Sequence, residues 1–427
     1  MKPSNYNFFF PYEEDTGKMI AYNSFSGALA LMDNDKHGKF MAFADGGMGI
    51  DDEEFVAQLK KGKFVIDDDC DELDLLRYRM LKSRYNTDLL NLIITPTSDC
   101  NFRCSYCFEK DTIKPDYMTT KIEDAIIKLV EGRINALSNL FVLWYGGEGL
   151  MNIETLERLS RKLIAICEKN NVGYTAHMIT NGYLLTRETV QLLNELKVVN
   201  LQITLDGCED IHNQRRPLAD GSGTFSTIIS NLETCKDLLN NVALRINTDK
   251  TNLDAGKKIT QLLTEKGLLD KVKPYLAKVF TDDNELDVCG FAIEKFNYLT
   301  EFADDDGYLN YYPRAKSNVC SADMLNSYVV AADGRLYRCL VELGDHSKCT
   351  GSLIEEGCAN DSLYLDYMLF DPTLDNGCSQ CKLLPVCMGG CSKRRHAGEE
   401  TCDVYKYVLD KFLGGVAKKL KRKRDAK

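Results

Sequence analysis

The chain has 427 residues, too many for one ordinary hydrophobic core, and its length suggests two or three domains. Its net charge is −11 with a pI near 5.2, which argues against nucleic acid as the main partner. No apolar run reaches membrane-spanning length, and the start Met1-Lys-Pro-Ser-Asn-Tyr6 lacks a signal-peptide pattern. A cytoplasmic location with no membrane partner is therefore expected. Disulfides are rare there, so seventeen cysteines point to metal, and an odd count cannot form a closed disulfide framework.

Residues 1–80 are expected to form a small α+β unit. Lys18 to Met32 offers two short apolar runs split by a polar turn, a hairpin pattern. A short helix is predicted from Asp52 to Lys60 and a strand over Lys63–Ile66. The acidic runs Asp51–Glu54 and Asp67–Asp69 read as solvated charge, with attraction of a basic segment as the alternative.

From residue 90 strands and helices alternate, the pattern of a parallel sheet with crossover helices. Strands are predicted at 90–96, 139–145, 174–180, 200–205, 242–248 and 272–280, with helices such as 121–136, 153–169 and 187–196 between them. Six such units predict a partial (β/α)6 TIM-like barrel over 81–281, whose chemistry belongs at the C-terminal ends of the strands. The first such end carries Cys100-Asn-Phe-Arg-Cys104-Ser-Tyr-Cys107-Phe-Glu109. Three close thiolates suit a four-iron, four-sulfur cube, which takes one thiolate per iron. A missing fourth cysteine leaves one iron open to a small molecule. Zinc is the alternative, but no histidine or fourth cysteine follows at zinc-site spacing.

CxxxCxxC followed by an aromatic residue, Phe108, after a first strand resembles the radical SAM superfamily. The resemblance implies that Cys100, Cys104 and Cys107 hold a catalytic 4Fe-4S cluster whose open iron chelates S-adenosyl-L-methionine. An electron then cleaves the sulfonium to give a 5′-deoxyadenosyl radical. Gly146-Gly147-Glu148 resembles the element that binds the amino group, with Gly149 where proline is usual. Thr180-Asn181 and Thr204 to Asp206 are similar to elements lining the ribose and methionine side. Arg216, four residues after His212, matches the arginine that reaches the carboxylate; Arg215 is the alternative and His212 reads as structural. Residues 1–80 resemble the leader-peptide recognition domains of peptide maturases, which add a peptide as an extra strand.

Residues 282–318 have little periodicity and read as a bridge, with Cys289 as a buried thiol. Over 319–427 cysteines are dense again: Cys320, Cys339, Cys378-x2-Cys381-x5-Cys387-x3-Cys391 and Cys402, with a hairpin at 328–337 turning at Gly334. Two zinc knuckles are the alternative. The spacing is similar to the SPASM extension of radical SAM enzymes, and the whole resemblance covers about residues 90–405. It implies one auxiliary cluster on Cys378, Cys381, Cys387 and Cys402. It implies another on Cys320, Cys339 and Cys391, either open at its fourth position or closed by Cys349 or Cys358. The expected cofactors are three 4Fe-4S clusters and S-adenosyl-L-methionine.

SPASM enzymes act mainly on peptides and proteins. The resemblance therefore implies a maturase that abstracts hydrogen from a ribosomally made precursor peptide and forms a cross-link. A Cys sulfur-to-carbon thioether is preferred, and carbon–carbon or carbon–oxygen links are the alternative. Formylglycine formation in a sulfatase is a third outcome, disfavoured because Leu340 rather than aspartate follows Cys339. A non-enzymatic iron–sulfur carrier is the remaining class, and it has no need of the Glu148 and Arg216 elements. Expected partners are a precursor peptide with its leader and an electron donor such as flavodoxin or ferredoxin. The basic run Lys418–Arg424 reads as a solvated helix end.

Overall fold

The computed structural model describes residues 1–47, 49–279, 285–317, 320–355, 359–399 and 401–425. The chain forms two compact units, each discontinuous in sequence: residues 1–84 with 287–320 and 370–427, and residues 85–286 with 321–369.

In the first unit, β1 (Lys2–Pro3) pairs antiparallel with β5 (Val65–Ile66). The strands β2 (Asn7–Pro11), β3 (Lys18–Asn23) and β4 (Ala28–Asp33) form an antiparallel meander. The hairpin expected over 18–32 is β3–β4. Alternation along β3 sends its side chains to two cores. Ala21 joins Met32, Phe40, Phe55, Leu59, Phe64 and Val65 on one side. Phe55 and Leu59 come from the helix Glu53–Lys61, which starts where the Asp52 carboxylate accepts from the Phe55 N–H at 2.9 Å. Ile20 and Tyr22 face the other way and pack on Leu383, Leu409, Leu413 and Ala417, the last three from the helix Tyr405–Asp425.

Within the segment whose sequence shows little periodicity and reads as a bridge, the unit has a helix, Val288–Phe302. Its apolar residues spread around more than one face: Phe291, Ala292, Tyr298 and Leu299 are buried while Ile293 is exposed, which blurs the helical period. Cys289 on this helix is partly exposed. Residues 282–284 and 318 of that bridge lie outside the described residues.

The second unit is the α/β barrel. Its strands β6 (Leu89–Ile94), β7 (Asn139–Trp144), β8 (Gly173–Ile179), β9 (Val198–Thr204), β10 (Asn241–Thr248) and β11 (Val272–Lys278) lie parallel in chain order. Leu90 to Ile94 of β6 are all buried, as expected of a strand covered on both faces. Residue 280, at the end of the last predicted strand, lies outside the described residues. The sheet continues past the six strands. β12 (Ser327–Val330) pairs parallel with β6, then antiparallel β13 (Arg335–Tyr337) and β14 (Gly351–Ser352) complete nine strands. The architecture is thus a mostly parallel α/β sheet, consistent with a partial TIM barrel. No helix among the described residues is long and apolar enough to cross a membrane.

The helix Thr120–Glu131 buries Ile122, Ile126 and Val130 at helical spacing, together with Glu123, which is 0% exposed. Arg158, on the helix Ile153–Lys169, meets that carboxylate with both ends of its fork, Nε donating to Oε2 at 2.9 Å and Nη2 to Oε1. The arginine itself is 42% exposed. Removing it leaves a buried carboxylate alone, whereas removing the carboxylate charge leaves an arginine in water. Arg158→Ala should cost about 3 kcal/mol in urea unfolding, and Glu123→Gln only about 1 kcal/mol. Equal losses would show that burial of the carboxylate does not set the cost.

Candidate active site

The cysteine loop leaves the C-terminal end of β6 and is held from two sides. On one side it meets the turn after β7, where the Gly147 N–H donates to Thr97 O at 3.3 Å and the Glu148 N–H to Asp99 O at 2.8 Å. A Cβ on Gly147 would stand 2.2 Å from Asp99 O, and one on Gly146 would stand 2.6 Å from Thr97 O. The Gly–Gly pair therefore permits direct backbone contact next to Cys100. On the other side, Arg103 N donates to Pro217 O at 2.8 Å, Ser105 N to Arg215 O at 3.0 Å and Ala219 N to Asn101 O at 2.9 Å. These bonds stitch the loop to the segment carrying Arg215 and Arg216.

Burial raises the pKa of all three thiols. Cys100 is pushed up to about 12, with the neighbouring Glu148, Cys104 and Cys107 adding to the rise and the Phe102 N–H opposing it. Cys107 is pushed up to about 11. The Arg216 guanidinium pulls Cys104 and Cys107 back down. Thiols this dry become thiolates only when positive charge arrives, as a bound metal supplies.

Glu148 is 1% exposed and fully engaged. Its Oε1 accepts from Leu150 N at 3.1 Å and Thr180 Oγ1 at 2.9 Å, and its Oε2 from Asn181 N at 2.7 Å. Burial raises its pKa, while these three bonds and Arg216 lower it. Asn181 in turn donates from Nδ2 to Asn101 Oδ1 at 2.8 Å, tying the β8 end to the cysteine loop. Thr204 ends β9 as a buried residue.

The sequence reading overlooks Tyr106, between the second and third cysteines. Its hydroxyl donates to Asp206 Oδ2 and accepts from Arg216 Nη1 at 2.8 Å and Asn247 Nδ2 at 2.9 Å. Phe108, the aromatic residue named from the motif, is 47% exposed. Arg215 is already engaged, donating from Nη2 to Asp249 Oδ2 at 2.7 Å and Thr251 Oγ1 at 2.6 Å. Arg216 is the guanidinium beside the thiols, stacked over Phe102, and its Nε is buried with no partner among the described residues. That spare donor suits a ligand carboxylate. His212 accepts the Asp206 N–H at Nδ1 and so donates from Nε2 to Thr224, whose hydroxyl holds the Arg216 carbonyl. Burial lowers its pKa to about 3, so it is a neutral brace.

Glu109, two residues past Cys107, is 6% exposed, and its Oε2 accepts from the Tyr145 hydroxyl at 3.0 Å. Burial raises its pKa from the usual 4.5 to about 7, against the pull of that bond.

The second cysteine block lies in the first unit for Cys320, Cys378, Cys381, Cys387, Cys391 and Cys402, and in the second unit for Cys339. The Asp375 carboxylate accepts from the Gly377 and Cys378 N–H groups. Burial pushes the Cys378 thiol up to about 11, and Cys387 adds to the rise; burial likewise raises Cys387, with Cys402 contributing. Gly390, at φ +74, lets the Cys387–Cys391 turn touch Thr401: a Cβ there would stand 2.1 Å from Thr401 O. The turn is thereby brought against the residue preceding Cys402. Among the described residues no group of three or more His, Cys, Asp or Glu side chains stands at single-ion spacing. Cys349 is buried among Ile93, Val329, Ala331, Tyr337 and Leu343, and donates to Gly351 O at 3.0 Å. Cys358 lies outside the described residues.

Residues 94–255 match the Radical SAM superfamily, so the chain carries a radical SAM domain there and is an enzyme. It is 24% identical over 362 residues to a cysteine-type anaerobic sulfatase-maturating enzyme of Clostridium perfringens, covering 76% of this chain and 94% of that protein. The fold is similar to that of native anSMEcpe with bound AdoMet and Kp18Cys peptide (TM-score 0.61, 20% identity, 77% of this chain and 99% of that one). It is also similar to Streptococcus suis SuiB bound to precursor peptide SuiA (TM-score 0.52, 14% identity, 94% and 99%). The superfamily implies a 4Fe-4S cluster and S-adenosylmethionine. The three dry thiols and the spare Arg216 donor fit both groups.

Two outcomes test this geometry. Gly147→Ala should displace the cysteine loop and lose most of its cluster iron on anaerobic reconstitution, while Gly38→Ala, with nothing within 4 Å of its added Cβ, should keep it. Retained iron in Gly147→Ala would mean the close approach is dispensable. For Glu109, a carboxyl whose pKa rises on folding holds a proton the unfolded chain has lost, so it costs stability increasingly between pH 4.5 and about 7. Glu109→Gln should match the wild type near pH 4 and exceed it by about 2–3 kcal/mol at pH 8 in urea unfolding.

Proposed function

We propose that the chain is a peptide maturase that abstracts hydrogen from a ribosomally made precursor and forms an intrapeptide cross-link, preferably a thioether from cysteine sulfur to carbon. The observation that carries the reading is a pair of opposite charges beside the CxxxCxxC thiols. Glu148 raises the Cys100 pKa, and Arg216 lowers those of Cys104 and Cys107. An amino acid's ammonium and carboxylate are matched by such a pair. Cys100, Cys104 and Cys107 would hold the cluster, Glu148 the ammonium and Arg216 the carboxylate. Gly146, Gly147, Thr180, Asn181, Thr204, Asp206 and Phe108 would complete the cofactor pocket. Bound there, cluster and S-adenosylmethionine supply a hydrogen-abstracting carbon radical.

A peptide substrate is favoured by the second cysteine block and by residues 1–80, where β2 and β4 are the edges of their three-stranded sheet. An edge strand accepts an added peptide through main-chain bonds. Cys378, Cys381, Cys387 and Cys402 would hold one auxiliary cluster. The SPASM pattern assigns a further cluster to the remaining motif cysteines. An electron donor of the flavodoxin or ferredoxin kind and a cytoplasmic setting complete the proposal.

Formylglycine formation is the second reading. It is favoured by likeness to the sulfatase-maturating enzyme and by Glu342, a buried carboxylate three residues after Cys339 that shares Tyr367 with it.

Anaerobically reconstituted protein given S-adenosylmethionine and a strong reductant should release 5′-deoxyadenosine. Yield no higher than from Cys104→Ala would sink the enzyme reading. Co-expression with a short cysteine-bearing peptide encoded beside the gene should then give a product lighter by two hydrogens per link, with one thiol protected from alkylation. A modified peptide whose thiols all remain free excludes the thioether; loss of the cysteine sulfur selects formylglycine.

A further inference from the structure

Beside the cysteine loop, the second unit contains a cleft of about 230 Å³ that none of the roles above uses. It lies between the segment Glu109–Lys114 and residues of Ala331–His346. Glu109 lines it and is 6% exposed, with Oε2 taken by Tyr145. The other oxygen, Oε1, has no partner among the described residues. A cavity beside this mostly buried carboxyl gives a donor somewhere to arrive.

The charges around the cleft narrow the occupant. Asp333 is paired with Arg335, and Lys114 with Asp116 at 3.1 Å. His346 approaches Asp333 at 4.0 Å. Asp111 is exposed at the rim and has no ion pair among the described residues. The acids at the cleft without an ion pair among the described residues are therefore Glu109 and Asp111. The rest of the wall includes the apolar groups of Ile113, Ala331, Tyr337 and Leu343. An apolar wall ending in an acceptor suits a long aliphatic stem with a cationic tip. The volume is below the roughly 300 Å³ at which sites for whole small molecules begin, so it takes a side chain rather than a second cofactor.

We propose that this cleft is a subsite for a lysine or arginine side chain of the substrate peptide, received at its tip by Glu109 Oε1. The inference rests on the peptide-substrate reading above and deepens it: it selects substrates with a basic residue near the modified position.

The test titrates Nα-acetyl-lysine amide, its uncharged counterpart Nα-acetyl-norleucine amide and Nα-acetyl-glutamate amide into the full-length reconstituted protein, with binding read by saturation-transfer NMR. The lysine probe should bind at least about tenfold more tightly than norleucine, and Glu109→Gln should bring the two within about threefold. Equal affinities in the wild type, tighter binding of the glutamate probe, or a lysine preference that survives Glu109→Gln would each overturn the subsite. The wild-type comparison decides even where the variant does not fold. Release of 5′-deoxyadenosine by the same wild-type preparation without peptide reports separately on the radical chemistry. Protein that releases it yet shows no lysine preference loses the subsite and keeps the proposed function. Protein that releases none loses the proposed function, whichever way the probes bind.

Discussion

The contact between Gly146–Glu148 and Thr97–Asp99 is the constraint on which the site depends. Two strand-end loops meet backbone to backbone there, at distances no side chain would allow. Glu148 is the residue that follows the glycines, and Cys100 the one that follows Asp99. One close approach therefore sets both the first thiol and the carboxylate beside it. From that point Asn181 reaches back to Asn101, and the 215–219 segment pins the far side of the loop. The thiols are framed by hydrogen bonds from three different strand ends before any ligand is considered.

Charge follows from that framing. Burial makes each thiol reluctant to ionise, and Arg216 is the positive group the protein itself offers against it. Arg216 is free for this because Asp249 and Thr251 occupy its neighbour, and its direction is set by Tyr106 and by the His212–Thr224 brace. The site is electrostatically incomplete by design of its environment: dry thiols, a satisfied carboxylate and a guanidinium with a donor to spare.

Much of this was legible in the sequence. The six barrel strands declare themselves because each is a short apolar run followed by a polar or glycine-rich end, and the cysteine spacing names its chemistry without any tertiary information. Tyr106 was not legible, because its partners Asp206, Arg216 and Asn247 come from three distant segments and nothing local marks its hydroxyl as buried. The spacing after His212 favoured Arg216 over Arg215, but the physical reason, Arg215 engaged by Asp249, was not legible. β12 reads from local pattern as half of a hairpin; its parallel pairing with β6 is a long-range event. Glu109 sits in a polar stretch that reads as surface, and only packing reveals it as buried. The helix Val288–Phe302 was hidden because its apolar residues are not confined to one stripe.

The first unit is assembled from the two ends of the chain. Ile20 and Tyr22, near the start, complete their core with Leu409, Leu413 and Ala417, and Tyr6 and Phe25 complete theirs with Leu384 and Met388. During synthesis the leading residues leave the ribosome long before those partners exist, so the meander emerges with one apolar face uncovered. The six barrel strands are contiguous and pair with one another without that wait, although β6 gains β12 only later. Translation order thus separates the two halves of the protein in time: the barrel can mature while the unit that brackets it waits for the last helix to be made.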